Sequence, residues 1–104
     1  MVNQTNITSG IKQTEITARW DKMNLLLVED DSTIALGLEY SLSQEGFNVT
    51  VCYNAAAALE AIKEKEFDIA LLDIALPDGT GFNICKELKQ ISDTPIIFLT
   101  ARDD

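Results

Sequence analysis

Two short apolar runs end in acidic residues, and this arrangement constrains the fold of the chain more than any other feature. The first run is LLLV at residues 25–28, followed by the triplet EDD at residues 29–31. The second is IALL at residues 69–72, followed by Asp73. A short, uninterrupted apolar run is typical of a parallel strand that is buried on both faces. Because the carboxyl ends of such strands meet at one edge of a sheet, we predict an acidic cluster there.

The chain after Asn24 alternates strand and helix patterns, which predicts an α/β fold with a mostly parallel sheet. Right-handed crossovers between successive parallel strands would place helices on both faces of that sheet. The alternation of Phe47, Val49 and Val51 with polar residues indicates a half-exposed strand near one edge. We predict strands at residues 25–28, 47–51, 68–72 and 96–99.

The helices are predicted from their capping residues and from apolar spacing. Asp31 or Ser32 can cap the first helix, and Gly46 can end it. Asn54 can cap the second helix, and residues 77–79 (PDG) indicate a loop before the third. The residues that we expect to face inward are Ile34, Leu38 and Leu42, then Ala55, Ala58, Leu59 and Ile62, and finally Phe82, Cys85 and Leu88.

The composition argues against several classes of function. The chain has 104 residues, a net charge of −9 and no histidine. An acidic balance argues against a broad nucleic-acid surface, and the lack of histidine excludes histidine-dependent catalysis and histidine zinc sites. We expect Cys52 and Cys85 to be reduced and partly buried. No apolar run approaches the roughly 20 residues of a membrane span.

Three motifs occur in the order and spacing of a known family. They are LLLVEDD at residues 25–31, LLDIALPDG at residues 71–79 and PIIFLTA at residues 95–101. Together they resemble the receiver domain of two-component response regulators, and most of all the subfamily whose second domain is a winged-helix DNA binder. The resemblance covers residues 23–104. It implies a flavodoxin-like fold, a doubly wound parallel sheet in three layers with strand order 2-1-3-4-5.

The resemblance also implies a site. In the family, a histidine kinase phosphorylates the aspartate at the end of the third strand, which is Asp73 here, so the chain would be a phosphoacceptor and not an enzyme. Glu29 and Asp30 match the acidic pair that holds Mg²⁺, and the backbone carbonyl of Ala75 would be a further metal ligand. Thr100 matches the hydroxyl residue that hydrogen-bonds the phosphoryl group and acts as the switch.

The chemistry of these residues supports the implied site and leaves simpler roles open. Two carboxylates about 4 Å apart repel by about 4 kcal/mol at an effective dielectric constant of about 20, and a hard cation relieves that repulsion. Asp31 fits a helix cap better than a metal ligand, whereas Asp30 fits either role. Asp73 and Thr100 could also be ordinary residues at strand ends.

Both ends of the chain differ from the family pattern. Residues 1–22 are polar and aperiodic, so we expect a loose tail or an upstream extension ahead of a receiver at residues 23–104. A complete receiver continues with a helix, a fifth strand and a last helix, which carry a lysine that contacts phosphate and a switch aromatic. Because none of these follows Asp104, we expect an incomplete, C-terminally truncated receiver. The apolar run at residues 96–99 would then be a bare sheet edge.

Three hypotheses follow. The chain is a cytoplasmic receiver module that takes a phosphoryl group on Asp73 from a sensor histidine kinase, or a Mg²⁺-binding module that does not switch. The third hypothesis is a fragment that forms a homodimer by pairing its exposed fourth strand. In each case we expect no membrane contact and no direct nucleic-acid contact by this chain. A measurement of molecular size separates the third hypothesis from the other two.

Overall fold

The computed structural model describes residues 23–99, and these alternate strand and helix along the chain. The strands are β1 (Asn24–Val28), β2 (Asn48–Cys52), β3 (Ile69–Asp73), β4 (Ala75–Leu76), β5 (Gly79–Thr80) and β6 (Ile96–Leu99). The helices are α1 (Ser32–Gln44), α2 (Ala55–Glu64) and α3 (Gly81–Ile91). Across residues 23–99, no helix has the length and apolar character needed to cross a bilayer. The expectations for residues 1–22 and for Thr100 concern residues outside the described range.

Four parallel strands form the main sheet, in the order β2-β1-β3-β6. β1 lies in the interior of the sheet, where Leu26 is in register with Thr50 of β2 on one side and with Ala70 of β3 on the other. Leu25–Val28 of this interior strand are all buried, and burial of both faces explains why its sequence is a continuous apolar run. The predicted doubly wound parallel sheet is confirmed.

The sheet separates two apolar layers, because successive side chains of a strand point to opposite faces. Leu26 and Val28 of β1 belong to a core that α2 and α3 cover, with Ile62 and Leu88 as helix contributions. The alternate residues of β1 are also buried, on the opposite face, where α1 lies against β1 and β2. Helices on both faces of the sheet give the three layers that the sequence predicted.

Polar caps determine where the helices begin, and they include residues that the sequence indicated. The Asp31 carboxylate accepts hydrogen bonds from two backbone N–H groups in the first turn of α1, at 2.9 and 3.1 Å. Asn54 accepts one from the N–H of Ala57 at 2.8 Å, at the start of α2. Gly46 follows α1 with a φ of 103°, a left-handed conformation that glycine adopts without strain.

Two residues that were predicted to face inward are exposed. Ile34 of α1 is 38% exposed, and the buried residue of that helix is Ala35, whose small side chain permits close packing on the sheet. Phe82 of α3 is 55% exposed, and its ring packs on Phe98 with the ring centroids 5.0 Å apart. Ile84 takes the buried position instead. Apolar spacing therefore identified these helices but not the centre of each buried face.

The remaining inward positions and the state of the cysteines agree with the sequence predictions. Cys52 and Cys85 are free thiols, the first buried and the second half-buried. The predicted positions that are buried or half-buried are Leu38, Leu42, Ala55, Ala58, Leu59, Ile62, Cys85 and Leu88.

A short hairpin replaces the simple loop that the sequence predicted after the third strand. β4 and β5 pair antiparallel, with Ala75 opposite Thr80, and Pro77 and Asp78 form the turn between them. This hairpin, residues 75–80, comes almost directly after Asp73 and leads into α3. It therefore lies next to the acidic edge of the sheet.

Candidate metal centre

Three carboxylates meet where β1 and β3 end. The two strands pair with Val28 opposite Leu72, so the residues that follow these positions, Glu29 and Asp73, lie side by side at the end of the sheet. One carboxylate oxygen from each of Glu29, Asp30 and Asp73 lies within 4.8 Å of the others. The acidic cluster that the sequence predicted at this edge, formed by these three residues, is therefore present.

The acidic cluster is largely withdrawn from solvent. Glu29 is 2% exposed and Asp73 is 5% exposed, whereas Asp30 faces solvent. The Oε2 atom of Glu29 accepts a hydrogen bond from the N–H of Asp31 at 3.0 Å. The Oδ2 atom of Asp73 is buried and has no hydrogen-bond partner among the described residues. Because a buried carboxylate oxygen without a partner is costly, this atom is available to a ligand.

The electrostatics of the cluster favour bound positive charge. Burial raises the pKa of Glu29 above its ordinary value of 4.5, and the nearby carboxylates of Asp73 and Asp30 raise it further. The hydrogen bond from the N–H of Asp31 acts in the opposite direction and lowers it. Neighbouring carboxylates in a poorly solvated site repel one another until a proton or a cation neutralises part of their charge.

The donor atoms of the cluster suit a hard divalent cation. All are carboxylate oxygens, which Mg²⁺ and Ca²⁺ prefer, and softer transition metals prefer imidazole or thiolate ligands. Mg²⁺ keeps several waters and binds proteins through one or two carboxylates. Asp30 and Asp73 could bind such an ion directly, and Glu29 could bind it through a water.

The other residues that the sequence suggested for the site lie outside the acidic cluster or outside the described range. Asp31 caps α1 with its carboxylate, which is the role that the sequence favoured for it over metal binding. Ala75 is exposed at the start of β4, two residues beyond Asp73. Thr100 lies one residue beyond the described range. The metal contact of Ala75 and the switch role of Thr100 therefore stay predictions.

A close backbone approach joins α3 to the end of β3. The N–H of Gly81 donates a hydrogen bond to the carbonyl oxygen of Ile74 at 2.8 Å. A Cβ atom at Gly81 would collide with the carbonyl oxygen of Asp73 and lie 3.1 Å from its carbonyl carbon. Only glycine permits this approach. The sequence did not reveal it, because a glycine next to a turn does not show which backbone it will contact.

Asp78 has a structural role that sequence reasoning also missed. The sequence placed it in a loop, but its carboxylate accepts hydrogen bonds from the N–H groups of Ala55 at 2.7 Å and Ala56 at 3.0 Å. These two donors lower the pKa of Asp78 from its ordinary value of 3.8, because they stabilise the ionised carboxylate. No local pattern could have identified the partner, since Asp78 and Ala55 are far apart in the sequence.

The sequence is similar to known response regulators. The family model of the response regulator receiver domain matches residues 25–104. The transcriptional regulatory protein AfsQ1 of Streptomyces coelicolor is 38% identical over 81 residues, which are 78% of this chain and 36% of that protein. The chain therefore spans little more than a third of the length of this relative.

Solved structures give the same result. The response regulator TrrA from Thermotoga maritima, in complex with Mg²⁺–BeF, has a TM-score of 0.72 and 31% identity over 77% of this chain and 70% of that chain. DrrB, an OmpR/PhoB homologue from the same organism, has a TM-score of 0.69 and 28% identity over 80% of this chain and 37% of that chain. Sequence, sheet order and structural likeness agree, and the chain belongs to the response regulator receiver domain family.

Proposed function

We propose that this chain accepts a phosphoryl group on Asp73 from a sensor histidine kinase, with Mg²⁺ bound by the acidic cluster. The observation that carries the proposal is the buried Oδ2 atom of Asp73, which has no hydrogen-bond partner within residues 23–99 and belongs to a carboxylate beside those of Glu29 and Asp30. Family membership supports it, because receiver domains are phosphoacceptors and not typical enzymes. The Mg²⁺–BeF complex of TrrA supports the choice of metal.

Transfer to Asp73 would proceed by in-line attack of a carboxylate oxygen on phosphorus. The P–N bond of a phosphohistidine breaks while the P–O bond to Asp73 forms, and the electron pair of the broken bond returns to the imidazole. The product is an acyl phosphate. The pairing of β3 on both sides restrains Asp73, which reduces the entropy lost on reaching the transition state. Mg²⁺, when bound, would neutralise charge on the carboxylates and on the phosphoryl oxygens.

The other residues of the site have proposed roles that fit their surroundings. Asp30 would bind the metal directly, and its exposure suits a ligand of a partly hydrated ion. Glu29 would act through a water, restrained by its backbone hydrogen bond. Asp73 and the backbone carbonyl of Ala75 would complete the protein ligands, and Thr100 would hydrogen-bond the phosphoryl group.

Replacing the acceptor tests the phosphorylation proposal. Asp73→Asn should abolish the acid-labile adduct that forms when the chain is incubated with Mg²⁺ and a small phosphodonor such as acetyl phosphate. Intact-protein mass spectrometry measures the adduct. Asp93→Asn is the matched control, because Asp93 is an exposed carboxylate in the loop before β6, and it should leave the yield unchanged.

Two other results of that experiment have defined meanings. An adduct of unchanged yield in Asp73→Asn would contradict the assignment of the acceptor. Mg²⁺ binding by the unmodified chain without any adduct would support the alternative, a module that binds metal but does not accept phosphate.

We also propose that β6 allows the chain to form a homodimer. Within residues 23–99, β6 pairs with β3 alone, and Ile97 in that strand is 51% exposed. The free N–H and C=O groups of an apolar edge strand can pair with another strand. A second copy of β6, related by a two-fold axis, is a self-complementary partner.

The remaining partners follow from the proposed function. Sensor histidine kinases supply phosphate to receivers, so we place the exchange in the cytoplasm, where these kinases present their phosphohistidine. The likeness to AfsQ1, a transcriptional regulatory protein, and to the OmpR/PhoB homologue DrrB supports a part in transcription regulation. Because its net charge is −9, we propose that this chain itself contacts neither nucleic acid nor membrane.

A further inference from the structure

The hairpin formed by β4 and β5 is joined to α2 by one side chain. The carboxylate of Asp78, in the turn of the hairpin, accepts hydrogen bonds from the N–H groups of Ala55 and Ala56 at 2.7 and 3.0 Å. These groups belong to the first turn of α2, whose N–H groups have no partner within the helix. A negative charge at a helix N-terminus is also favoured by the helix dipole. Asp78 therefore links the hairpin to a rigid element of the core.

Two further contacts show that the hairpin lies close against its surroundings. A Cβ atom at Gly79 would lie 3.3 Å from the Cβ atom of Ala55, so the hairpin and α2 are in contact next to the Asp78 carboxylate. At the other end of the hairpin, Gly81 donates to the carbonyl oxygen of Ile74 at 2.8 Å. The hairpin is thus held to α2 at its turn and closed at its base by the hydrogen bond between Gly81 and Ile74.

We propose that Asp78 is a positioning residue of the metal site, which holds the backbone at Ala75 in place by fixing the hairpin to α2. The inference rests on the proposed function, in which Ala75 offers its carbonyl to Mg²⁺. Asp78 does not itself bind the metal. It acts through the hairpin, because Ala75 and Asp78 both lie in this six-residue unit, residues 75–80.

The competing explanation is that Asp78 only caps α2, and the chain contains a control for it. Asn54 caps the same helix and accepts a hydrogen bond from the N–H of Ala57 at 2.8 Å, but it makes no contact of this kind with the hairpin. Asn54→Ala and Asp78→Ala both remove hydrogen bonds from the N-terminus of α2. Only Asp78→Ala releases the hairpin.

A Mg²⁺ titration separates the two explanations. It compares four proteins: the unmodified chain, Asp78→Ala, Asp78→Asn and Asn54→Ala. Isothermal calorimetry measures the metal affinity, and urea denaturation without metal measures the stability. Both alanine variants should lose stability. Asp78→Ala should weaken Mg²⁺ binding by about tenfold, as loss of a residue supporting a metal ligand does. Asp78→Asn, which keeps an acceptor oxygen, should recover part of the affinity, and Asn54→Ala should bind as the unmodified chain does.

Hydrogen exchange supplies a second readout that needs no metal. The amide of Gly81, bonded to Ile74 across the hairpin, should exchange faster in Asp78→Ala than in Asn54→Ala. The inference is overturned if Asp78→Ala and Asp78→Asn bind Mg²⁺ as tightly as the unmodified chain, or if Asn54→Ala weakens binding as much as Asp78→Ala. Failure of the unmodified chain to bind Mg²⁺ would instead overturn the proposed function, and this inference with it.

Discussion

At the scale of single residues, the site depends on a glycine, Gly81, as well as on its carboxylates. The first residue of α3 must pass directly behind the backbone of Asp73, and Gly81 is there because any Cβ would meet the Asp73 carbonyl oxygen. Gly37, in the exposed face of α1, has no neighbour within 4 Å of such an atom. A side chain is therefore excluded at Gly81 and has open space at Gly37.

We expect alanine substitutions at these two positions to change stability in opposite directions. Gly81→Ala should lower the free energy of unfolding by about 1–3 kcal/mol, because backbone must shift to admit the methyl group. Gly37→Ala should raise it by about 0.5–1 kcal/mol, because alanine favours a helix interior. Urea denaturation followed by circular dichroism measures both. Equal effects at the two positions would show that the contact behind Asp73 does not constrain residue 81.

The residues of the site differ in how far the sequence could identify them. Glu29, Asp30 and Asp73 were predictable as a group, because parallel strands deliver the residues that follow them to one edge. Asp31 was predictable as a cap from its place before an apolar helix pattern. Gly81 and Asp78 were not, because their partners are distant in sequence and only the packed fold brings them together.

At the scale of elements, strands were easier to predict than the faces of helices. β1 is buried on both faces, and β3 is buried on one face and half-buried on the other, so both strands are continuous apolar runs. In α1 and α3 several apolar residues satisfy the same spacing, so the spacing does not determine which of them is buried. Ala35 and Ile84 are buried, and Ile34 and Phe82 are exposed. The hairpin of β4 and β5 was missed because two-residue strands carry no periodicity.

The edge strand β6 allows a prediction at this scale. If β6 pairs with a second copy, the unmodified chain should shift from monomer to dimer as its concentration rises, and Ile97→Lys should remain monomeric, because a charge on an edge strand opposes pairing. Sedimentation equilibrium measures the mass. Leu36→Lys is the matched control, since Leu36 is 66% exposed on α1, and it should not change association. A monomer at every concentration, or equal effects of both variants, would contradict the proposed interface.

At the scale of the whole molecule, the proposed metal site would couple metal binding to stability through the acidic cluster. The chain has a net charge of −9, and three of its carboxylates converge within 4.8 Å in a largely buried site. Because the folded chain raises the pKa of Glu29 above its ordinary value of 4.5, this residue stabilises the metal-free fold most at pH values below 4.5. That stabilisation is lost as the pH rises through the raised pKa. A cation bound as proposed would replace the proton at neutral pH.

The most direct test of this account is the melting temperature with and without Mg²⁺ as a function of pH. At pH 7, Mg²⁺ at about a hundred times its dissociation constant should stabilise the fold by about 2.7 kcal/mol, at constant ionic strength. The gain should shrink as the pH falls through the raised pKa of Glu29, and Asp73→Ala should diminish it at pH 7. A Mg²⁺ effect of the same size at pH 4 and pH 7, or in Asp73→Ala, would contradict the claim that these carboxylates hold the metal.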